Sequence, residues 1–368
     1  MGSAAAFHLA RRGVRVCGFD RYSPPHTMGS SHGQSRIFRE AYFEGAAYVP
    51  MLRRAYELWR ELERETATRL LLQTGGLMFG RPDSELVAGT RASAEQCGLE
   101  HEVLGVAQIA RRFPAFRPEP DMVAVYEPRA GILFPEACVQ AHLSRASAFG
   151  AQIHADEPVL GWNASANGVS VTTRTGNYGG DLLIVSAGAW AGQLLALVEP
   201  PLVVERQVAF WFDPKSSPEH FSPANCPLHL WQFDGDRFAY GFPDLGDGVK
   251  VARHHEGVTG SPDGLTRDVG SDEVEKARSV LRRFLPDADG SFRSAAACLY
   301  TNTPDEHFWI DRHPQHDNVL IASPCSGHGF KFASVIGEVL ADLATRGRSS
   351  FDLSLFRSRW PLGPGHSD

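Results

Sequence analysis

The sequence lacks the features that mark several classes of protein. The apolar stretch Leu182–Val185 is far too short to span a bilayer, which takes about 20 residues. The six cysteines show no CxxC spacing and follow no charged-then-apolar leader, so we expect neither a disulfide framework nor a zinc ribbon, but a reducing, cytoplasmic compartment. Basic residues are not in surplus, because the net charge is -7, which disfavours nucleic acid and anionic membranes as partners.

Composition and length are otherwise those of a globular protein. Hydrophobic residues make up 43% and charged residues 21% of the chain, and no repeat or low-complexity segment is present. A chain of 368 residues exceeds the size at which single hydrophobic cores stop growing. We therefore expect two lobes.

The opening residues, MGSAAAFHLARRGVRVCGFD, predict the later part of a nucleotide-binding βαβ unit. Small and apolar residues predict a helix over Ser3–Arg12 that Gly13 ends, followed by a strand that ends at Asp20. Asp20 follows Gly2 at close to the spacing of about 20 residues at which an acid accepts a ribose hydroxyl, which favours an adenosine-bearing cofactor. The first strand and first two glycines of such a unit are not in the sequence. We expect a parallel sheet without one inner strand, and either a true start further upstream, which we favour, or a damaged, inactive protein.

The remaining chain predicts an antiparallel sheet between further nucleotide-binding elements. Period-two aromatic strands, ERQVAFWF, PLHLWQF and RFAYGFP, lie between about Val203 and Tyr300, and the Asp-Gly of FDGDR predicts a hairpin. The buried strands LLIVSAGAW and NVLIAS, with a helix that ends at Gly347, predict returns to the nucleotide-binding part. A long amphipathic helix is predicted over Pro50–Thr66, and a frayed tail over Pro361–Asp368.

Three groups of residues could carry chemistry, and the residues alone leave alternatives for each. SGHGFKFA places two glycines and a hydroxyl at a helix start, where free N–H groups favour an anion; the alternative is a plain glycine-rich helix start with Lys331 in solvent. Cys298 follows three alanines, a setting in which cysteine is usually an inert small hydrophobe. His254 and His255 lack a carboxylate or cysteine at ligand spacing, so we expect no metal there.

Three stretches carry a resemblance to a known family: GSSHGQSRIFREAY, CLYTNTPDEHFWIDRHP and SGHGFKFA. With them, nearly the whole chain, from residue 2 to about 360, resembles the monomeric sarcosine oxidase family of flavoproteins, which includes N-methyltryptophan oxidase and the peroxisomal sarcosine and pipecolate oxidase.

The resemblance implies an α/β fold, α+β overall. An FAD-binding, Rossmann-like domain of the glutathione-reductase type, lacking its first strand, is interleaved with a catalytic domain built on a mixed or antiparallel sheet. We expect the FAD-binding domain to comprise residues 1–80, 137–203 and 299–360, and the substrate domain residues 81–136 and 204–298, followed by a tail over 361–368.

The resemblance also implies the cofactor and its contacts. FAD in this family is attached through its 8α-methyl group to a cysteine, and Cys298 matches that position, which reverses the inert assignment above. Asp20 matches the ribose acid, and His32 and Arg36 match basic residues that line the flavin. The other positions expected to bind the cofactor are Gly2, Ser30, Ser31, Gly327, Gly329, Phe330 and Lys331.

The resemblance extends to the substrate site. Arg39 and Lys331 match the pair that holds the substrate carboxylate, because two cations in a desolvated pocket select an amino acid over a simple amine. Lys250 matches the lysine at which oxygen is activated. The residues that match those shaping the pocket are His254, Tyr240 and Tyr300, and we expect Trp231 to enter it as well.

These matches predict a monomeric enzyme that oxidises a secondary amino acid, either an N-methyl amino acid or a cyclic imino acid, to an imine and reduces O2 to hydrogen peroxide. The sequence departs from the family before SGHG, where Ser323, Pro324 and Cys325 replace the usual Gly- and Phe-containing approach, and at Ala239. The choice between sarcosine, pipecolate, N-methyltryptophan and another secondary amine therefore stays open.

Two other functions stay open at this point. The missing first strand favours a non-catalytic family member that binds FAD poorly or not at all. The βα fragment with Asp20 is compatible with an NAD-dependent dehydrogenase, although that function leaves Cys298 and SGHGFK unexplained.

Overall fold

The computed structural model describes residues 1–195 and 202–357, so the expected tail over 361–368 lies outside the described part of the chain. None of the helices in these residues is long and apolar enough to cross a membrane. The α-helices are α1 (Gly2–Arg11), α2 (Val49–Thr66), α3 (Glu85–Cys97), α4 (Val106–Arg112), α5 (Pro135–Ala148), α6 (Ala191–Leu194), α7 (Ser271–Phe284) and α8 (Ala333–Arg346).

The strands form five sheets over the same residues. In chain order they are β1 (Cys17–Phe19), β2 (Arg36–Phe38), β3 (Leu71–Gln73), β4 (Gly76–Gly80), β5 (Glu102–Gly105), β6 (Val123–Glu127), β7 (Gly131–Leu133), β8 (Gln152–His154), β9 (Gly161–Ser165), β10 (Gly168–Thr172), β11 (Asn177–Gly180), β12 (Leu183–Val185), β13 (Val203–Phe212), β14 (Leu228–Phe233), β15 (Arg237–Phe242), β16 (Val249–His254), β17 (Phe292–Asn302), β18 (Trp309–His313) and β19 (His316–Ser323). The mixture of helices and sheets confirms the predicted fold class.

The first helix is a core element. Seven consecutive residues of α1, from Ala4 to Ala10, are buried, and the helix packs against α5 and α8. A Cβ atom on Gly337 of α8 would lie 2.6 Å from the Cβ atom of Ala4, so the two helices approach closely because this glycine has no side chain. The helices predicted over Ser3–Arg12 and Pro50–Thr66 are confirmed within a residue at each end.

Two parallel strand pairs lie beside these helices. β1 pairs with β8, and β12 pairs with β19, while β18 extends the second pair antiparallel. Among the described strands the two pairs belong to separate sheets. Residues of β1 and β12 line one large cavity, which places the ends of both pairs at the candidate site.

The largest sheet carries most of the chemistry-bearing residues. Its eight strands follow the order β17-β13-β16-β15-β14-β4-β6-β5, and neighbours are antiparallel except at β14–β4. The predicted hairpin between β14 and β15 is confirmed: Asp234 and Gly235 turn with φ values of 48° and 85°, the positive range that Asp-Gly turns supply.

Two boundaries differ from those expected. β4 (Gly76–Gly80) lies in the segment assigned to the FAD-binding domain but pairs with β14 and β6 of the large sheet. β17 continues to Asn302, past the expected boundary at residue 298. Both differences arise because a strand joins the sheet that offers it hydrogen-bond partners, which no local pattern specifies. The two-domain division itself stays a prediction.

Candidate active site

A cavity of about 1920 Å³ runs between the helical layer and the large sheet, well above the range of about 300–1,000 Å³ that small-ligand pockets occupy. Its walls include the predicted site residues except His32, which contacts Cys298, and Trp231. The lining includes Gly2 and Asp20 from the first βα unit as well as Arg39 and Lys331. The dimensions suit a ligand considerably larger than an amino acid.

The pleat of the large sheet brings the pocket residues to one face. Side chains two apart along a strand point to the same side, and Lys250 and His254 are four apart on β16. Cys298 and Tyr300 are two apart on β17, and Tyr240 lies on β15. Since β17, β13, β16 and β15 are adjacent in that order, all five side chains face the cavity.

The same geometry shows that the expectation for Trp231 is wrong. Trp231 is fully buried on the opposite face of β14, stacked between Phe79 at 3.7 Å and Phe284 at 4.3 Å between ring centroids. Its neighbour Leu230, which pairs with Tyr240 across the strands, faces the cavity instead. A shift of one residue exchanges the two faces of a strand, and the aromatic character of Trp231 belongs to the core.

Cys298 lies in a polar, positively charged setting, although its neighbours in sequence are alanines. Its Sγ atom lies 3.4 Å from His32 Nε2 and 3.5 Å from Arg36 Nη2. Burial would raise the pKa of the thiol, but Arg36, His32 and Lys250 lower it to about 6. The assignment as an inert hydrophobe is therefore wrong, and the thiolate, the reactive form, predominates at neutral pH.

Lys250 is buried beside this cysteine. Its Nζ donates to the carbonyl oxygens of Gly33 at 2.7 Å and Ser35 at 3.1 Å, and lies about 5 Å from the ring centres of Trp211 and Phe242. Burial, followed by Arg36, lowers the pKa of Lys250 well below its ordinary value. The ammonium group is thus held in a desolvated position that its carbonyl partners and Cys298 help to keep charged.

Arg39 and Lys331 meet at Tyr42. The Arg39 guanidinium lies 4.2 Å from the centre of the Tyr42 ring, and Lys331 Nζ lies 3.3 Å from its hydroxyl. Arg39 is 2% and Lys331 5% exposed, which excludes the alternative that Lys331 is solvated. Two buried cations that face one cavity form an anion site.

A carboxylate of the chain itself contacts this cation pair. Arg39 Nη2 donates to both oxygens of Glu44, at 2.7 and 2.6 Å. Burial would raise the pKa of Glu44, but Arg39, His328 and Lys331 keep it lowered. Burial, followed by Arg39, lowers the pKa of Lys331 to about 7, against Glu44, which raises it. The anion site therefore already binds an internal anion.

The opposite wall is neutral and hydrogen-bonded. His254 Nδ1 lies 3.0 Å from the Tyr300 hydroxyl, and the ring of Tyr240 stands nearly perpendicular to that of His254. Burial and the neighbouring His255 lower the pKa of His254 well below its usual value, so its ring is uncharged at neutral pH. Burial raises the pKa of Tyr300 well above its usual value, which keeps the phenol protonated.

The segment SGHGFK makes close contacts that need glycine. A Cβ atom on Gly327, whose φ is 75°, would lie 2.6 Å from the Tyr300 ring, and one on Gly329 would meet the Pro324 carbonyl oxygen. The segment continues as a 3-10 turn over Phe330–Phe332, and α8 begins only at Ala333. The expected helix start at the glycines is therefore displaced by one turn.

The remaining predicted cofactor residues line the cavity without forming a single cluster. Asp20 Oδ1 accepts the N–H of Tyr22 at 2.9 Å at the carboxyl end of β1, the usual place for a ribose-binding acid. Ser30 donates to the Leu299 carbonyl oxygen, and Ser31 lines the wall beside it. The large cavity, the low-pKa thiol of Cys298 and the lack of a side chain at Gly327 together fit FAD, which Asp20, Cys298 and Gly327 would help to hold.

Several residues of the site were not anticipated from sequence. They are Tyr42 and Glu44, which contact the cation pair, and Glu127, which accepts the backbone N–H groups of Glu40 and Ala41 just before them. Tyr42 and Glu44 follow Arg39 within GSSHGQSRIFREAYFEG, so the clustering of charged and aromatic residues after Arg39 was a usable signal. Glu127 lies 88 residues further on and gives no local signal.

The fold and the site together define a flavin-dependent oxidoreductase. The family described as FAD dependent oxidoreductase matches residues 1–343. A solved structure of NikD, titled an unusual amino acid oxidase essential for nikkomycin biosynthesis, shares the fold with a TM-score of 0.85 at 24% identity, covering 99% of this chain and 96% of that chain.

Closer relatives specify the family. The chain is 46% identical over 363 residues to a monomeric sarcosine oxidase of Streptomyces avermitilis, covering 98% of this chain and 94% of that protein. It is 36% identical to an N-methyl-L-tryptophan oxidase of Citrobacter koseri, covering 97% and 95% of the two chains. The chain belongs to the monomeric sarcosine oxidase family of FAD-dependent oxidoreductases, which confirms the predicted resemblance and sets aside the NAD-dependent alternative.

Proposed function

We propose that the protein is an FAD-dependent oxidase of small secondary amino acids, either N-methyl amino acids of the sarcosine type or cyclic imino acids. The observation that carries the proposal is the buried pair Arg39 and Lys331, which faces the same cavity as Cys298 and Lys250. The names of the relatives, sarcosine oxidase and N-methyl-L-tryptophan oxidase, support the same substrate class. The proposal includes O2 as electron acceptor and a monomeric protein.

The cation pair binds the substrate carboxylate. Charge-assisted hydrogen bonds from Arg39 and Lys331 fix one end of the amino acid, and Glu44 leaves Arg39 when the substrate enters. The net charge beside Arg39 stays the same in this exchange, because one carboxylate replaces another. The fixed carboxylate orients the amine and the adjacent C–H bond relative to the remaining walls of the cavity.

The other walls complete the reaction environment. His254 and Tyr300 are uncharged, so they shape the pocket without competing for the carboxylate. Lys250 provides a fixed positive charge that stabilises negative charge developing on oxygen. FAD, when bound, supplies the two-electron redox chemistry: the amine is oxidised to an imine, which water hydrolyses, and O2 is reduced to hydrogen peroxide. We also propose that FAD is held covalently by the Sγ atom of Cys298.

Removing either cation tests the carboxylate site. We expect Arg39→Ala and Lys331→Ala each to raise the KM for a secondary amino acid by about 10- to 100-fold, because a hydrogen bond to a charged group contributes about 1.5–3 kcal/mol. The measurement is the rate of hydrogen peroxide release over a range of sarcosine and pipecolate concentrations. Lys276→Ala, on the exposed side of α7, is the matched control and should leave KM unchanged.

The pH dependence of the parent enzyme gives a second readout of the same site. Lys331 is charged below its pKa of about 7, so binding of a carboxylate should weaken as pH rises through that value. Lys331→Ala should remove this limb of the profile. Unchanged KM values in both variants would contradict a carboxylate site at Arg39 and Lys331.

Neutralising Glu44 should lower the KM, whereas removing Arg39 or Lys331 should raise it. We expect Glu44→Gln to lower the KM by up to about tenfold, because Arg39 no longer has to leave a charged partner. The assay is run at pH 6 or below, because Glu44 raises the pKa of Lys331 and its loss lowers that pKa below the parent value of about 7. Peroxide release is again the measurement, and Glu61→Gln, a partly exposed carboxylate of α2 that contacts Arg54, is the control. An increase in KM would mean that Glu44 holds Arg39 in place instead of competing with substrate.

A further inference from the structure

Arg39 is held largely by its own segment, residues 39–44, which we term the clamp segment. Its Nη1 atom donates to the Ala41 carbonyl oxygen at 2.9 Å, and its Nη2 atom contacts Glu44. The rings of Tyr42 and Phe43 lie 4.2 and 4.7 Å from its guanidinium carbon. The position of the guanidinium therefore follows the backbone of the clamp segment.

That backbone is anchored by a buried carboxylate from the large sheet. Glu127, at the end of β6 and 1% exposed, accepts the N–H of Glu40 at 2.7 Å through Oε1 and the N–H of Ala41 at 3.1 Å through Oε2. Ser93 of α3 accepts the next N–H, that of Tyr42, at 2.7 Å. Three consecutive peptide groups of the clamp segment thus have side-chain partners outside it.

A carboxylate suits this position in a way that an amide does not. Burial raises the pKa of Glu127 to about 7, against the two backbone hydrogen bonds that lower it, so the side chain is a carboxylate above that pH. In this form both Glu127 oxygens are acceptors and each meets one N–H group, whereas one end of a glutamine side chain is a donor. The charged groups around Glu127 are Arg39 and Glu40, and Arg129 in turn contacts Glu40 at 2.9 Å. Burying an acid at this position costs free energy. Its presence therefore indicates that the two N–H groups require a side chain with two acceptor oxygens.

We propose that Glu127 is a positioning residue that sets Arg39 for the substrate carboxylate by anchoring the backbone of the clamp segment. This inference rests on the proposed function, because it requires that Arg39 binds the carboxylate. Glu127 does not itself face the cavity and takes no part in the chemistry.

Glu127→Gln in the flavin-loaded full chain, compared with the parent at pH 8, where Glu127 is ionised, tests the inference. We expect the KM for sarcosine to rise about tenfold with kcat changed less than twofold, because one of two anchoring hydrogen bonds is replaced by a donor facing an N–H group. The kcat/KM for a secondary amine without a carboxylate, such as N-methylbenzylamine, should stay within twofold of the parent value. Binding of acetate, followed by the change in flavin absorbance, should weaken by the same factor as KM rises.

Two further variants keep the test decisive. Ser93→Ala removes the third anchor with little change of volume and should raise the KM for sarcosine by a smaller factor, so it replaces Glu127→Gln if that variant does not fold. Glu119→Gln, a partly exposed carboxylate that contacts Arg283, is the matched control and should behave as the parent.

The outcomes separate this inference from the proposed function. If Arg39→Ala raises KM but Glu127→Gln and Ser93→Ala do not, the positioning role is wrong and the proposed function stands. If the anchor variants lower kcat/KM equally for sarcosine and for the carboxylate-free amine, Glu127 has a general structural role and the inference is overturned. If Arg39→Ala itself leaves KM unchanged, the proposed carboxylate site fails first.

Discussion

Replacement of Lys250 by methionine is expected to slow the reoxidation of the reduced enzyme by oxygen by about 10²- to 10³-fold. The side chain of methionine has a similar length and no charge, so the variant removes the electrostatic contribution and keeps most of the packing against Trp211 and Phe242. Oxidation of the substrate should change far less, because the proposed carboxylate site at Arg39 and Lys331 involves other residues of the cavity.

The pH dependence of reoxidation gives the sign of the effect. In the proposed role, Lys250 would stabilise developing negative charge only while it is protonated, that is, below its pKa. Since burial lowers this pKa well below the ordinary 10.5, the reoxidation rate of the parent should fall as pH rises through a value below 10.5. Lys250→Met should be slow at every pH, and Lys250→Arg should retain part of the rate and lose the pH dependence, because arginine stays charged.

Rapid mixing of the substrate-reduced enzyme with oxygenated buffer measures this step separately from substrate oxidation. Lys276→Met, in an exposed position of α7, is the matched control for loss of a lysine charge. A reoxidation rate in Lys250→Met equal to that of the parent would place oxygen activation at another group. A large loss confined to substrate oxidation would assign Lys250 to the amino acid and not to oxygen.

The secondary structure of this chain was largely predictable because local patterns determine it. The amphipathic period of α2, the glycine that ends α8 at Gly347 and the Asp-Gly turn between β14 and β15 are each determined by residues close in sequence. Pairing between distant strands is not. Nothing within Gly76–Gly80 indicates that β4 joins the large sheet beside β14.

The site was predictable only where its residues lie in recognisable stretches. Alanines surround Cys298 in sequence, but Arg36 and His32, more than 260 residues away, determine its charge state. The face that Trp231 occupies depends on the register of β14 against β15, and one residue of shift exchanges the two faces. Long-range electrostatics and strand register therefore account for what sequence reasoning missed.

The covalent attachment of FAD should be lost completely in Cys298→Ala. The parent chain, denatured in SDS and separated on a gel, should show a flavin-fluorescent band, and the variant band should be dark because no other thiol lies beside both Arg36 and His32 among the described residues. Cys97→Ala, a half-buried cysteine on α3 outside the cavity, is the matched control and should keep its fluorescence.

The positively charged surroundings of Cys298 also predict how the rate of FAD attachment depends on pH. With a pKa of about 6, the thiolate is the minor form at pH 5 and the major form at pH 7, so attachment of FAD added to the flavin-free chain should accelerate with pH and level off above about 7. Arg36→Ala removes a charge that lowers this pKa, so its attachment should be slow at pH 7 and recover at higher pH. A fluorescent band in Cys298→Ala would place the bond on another residue. A dark parent band with flavin released on denaturation would mean a non-covalent cofactor. A parent with no flavin in either form would favour the non-catalytic alternative, since a protein that does not hold FAD cannot use the redox chemistry proposed for the cavity that Lys250 and the cation pair line.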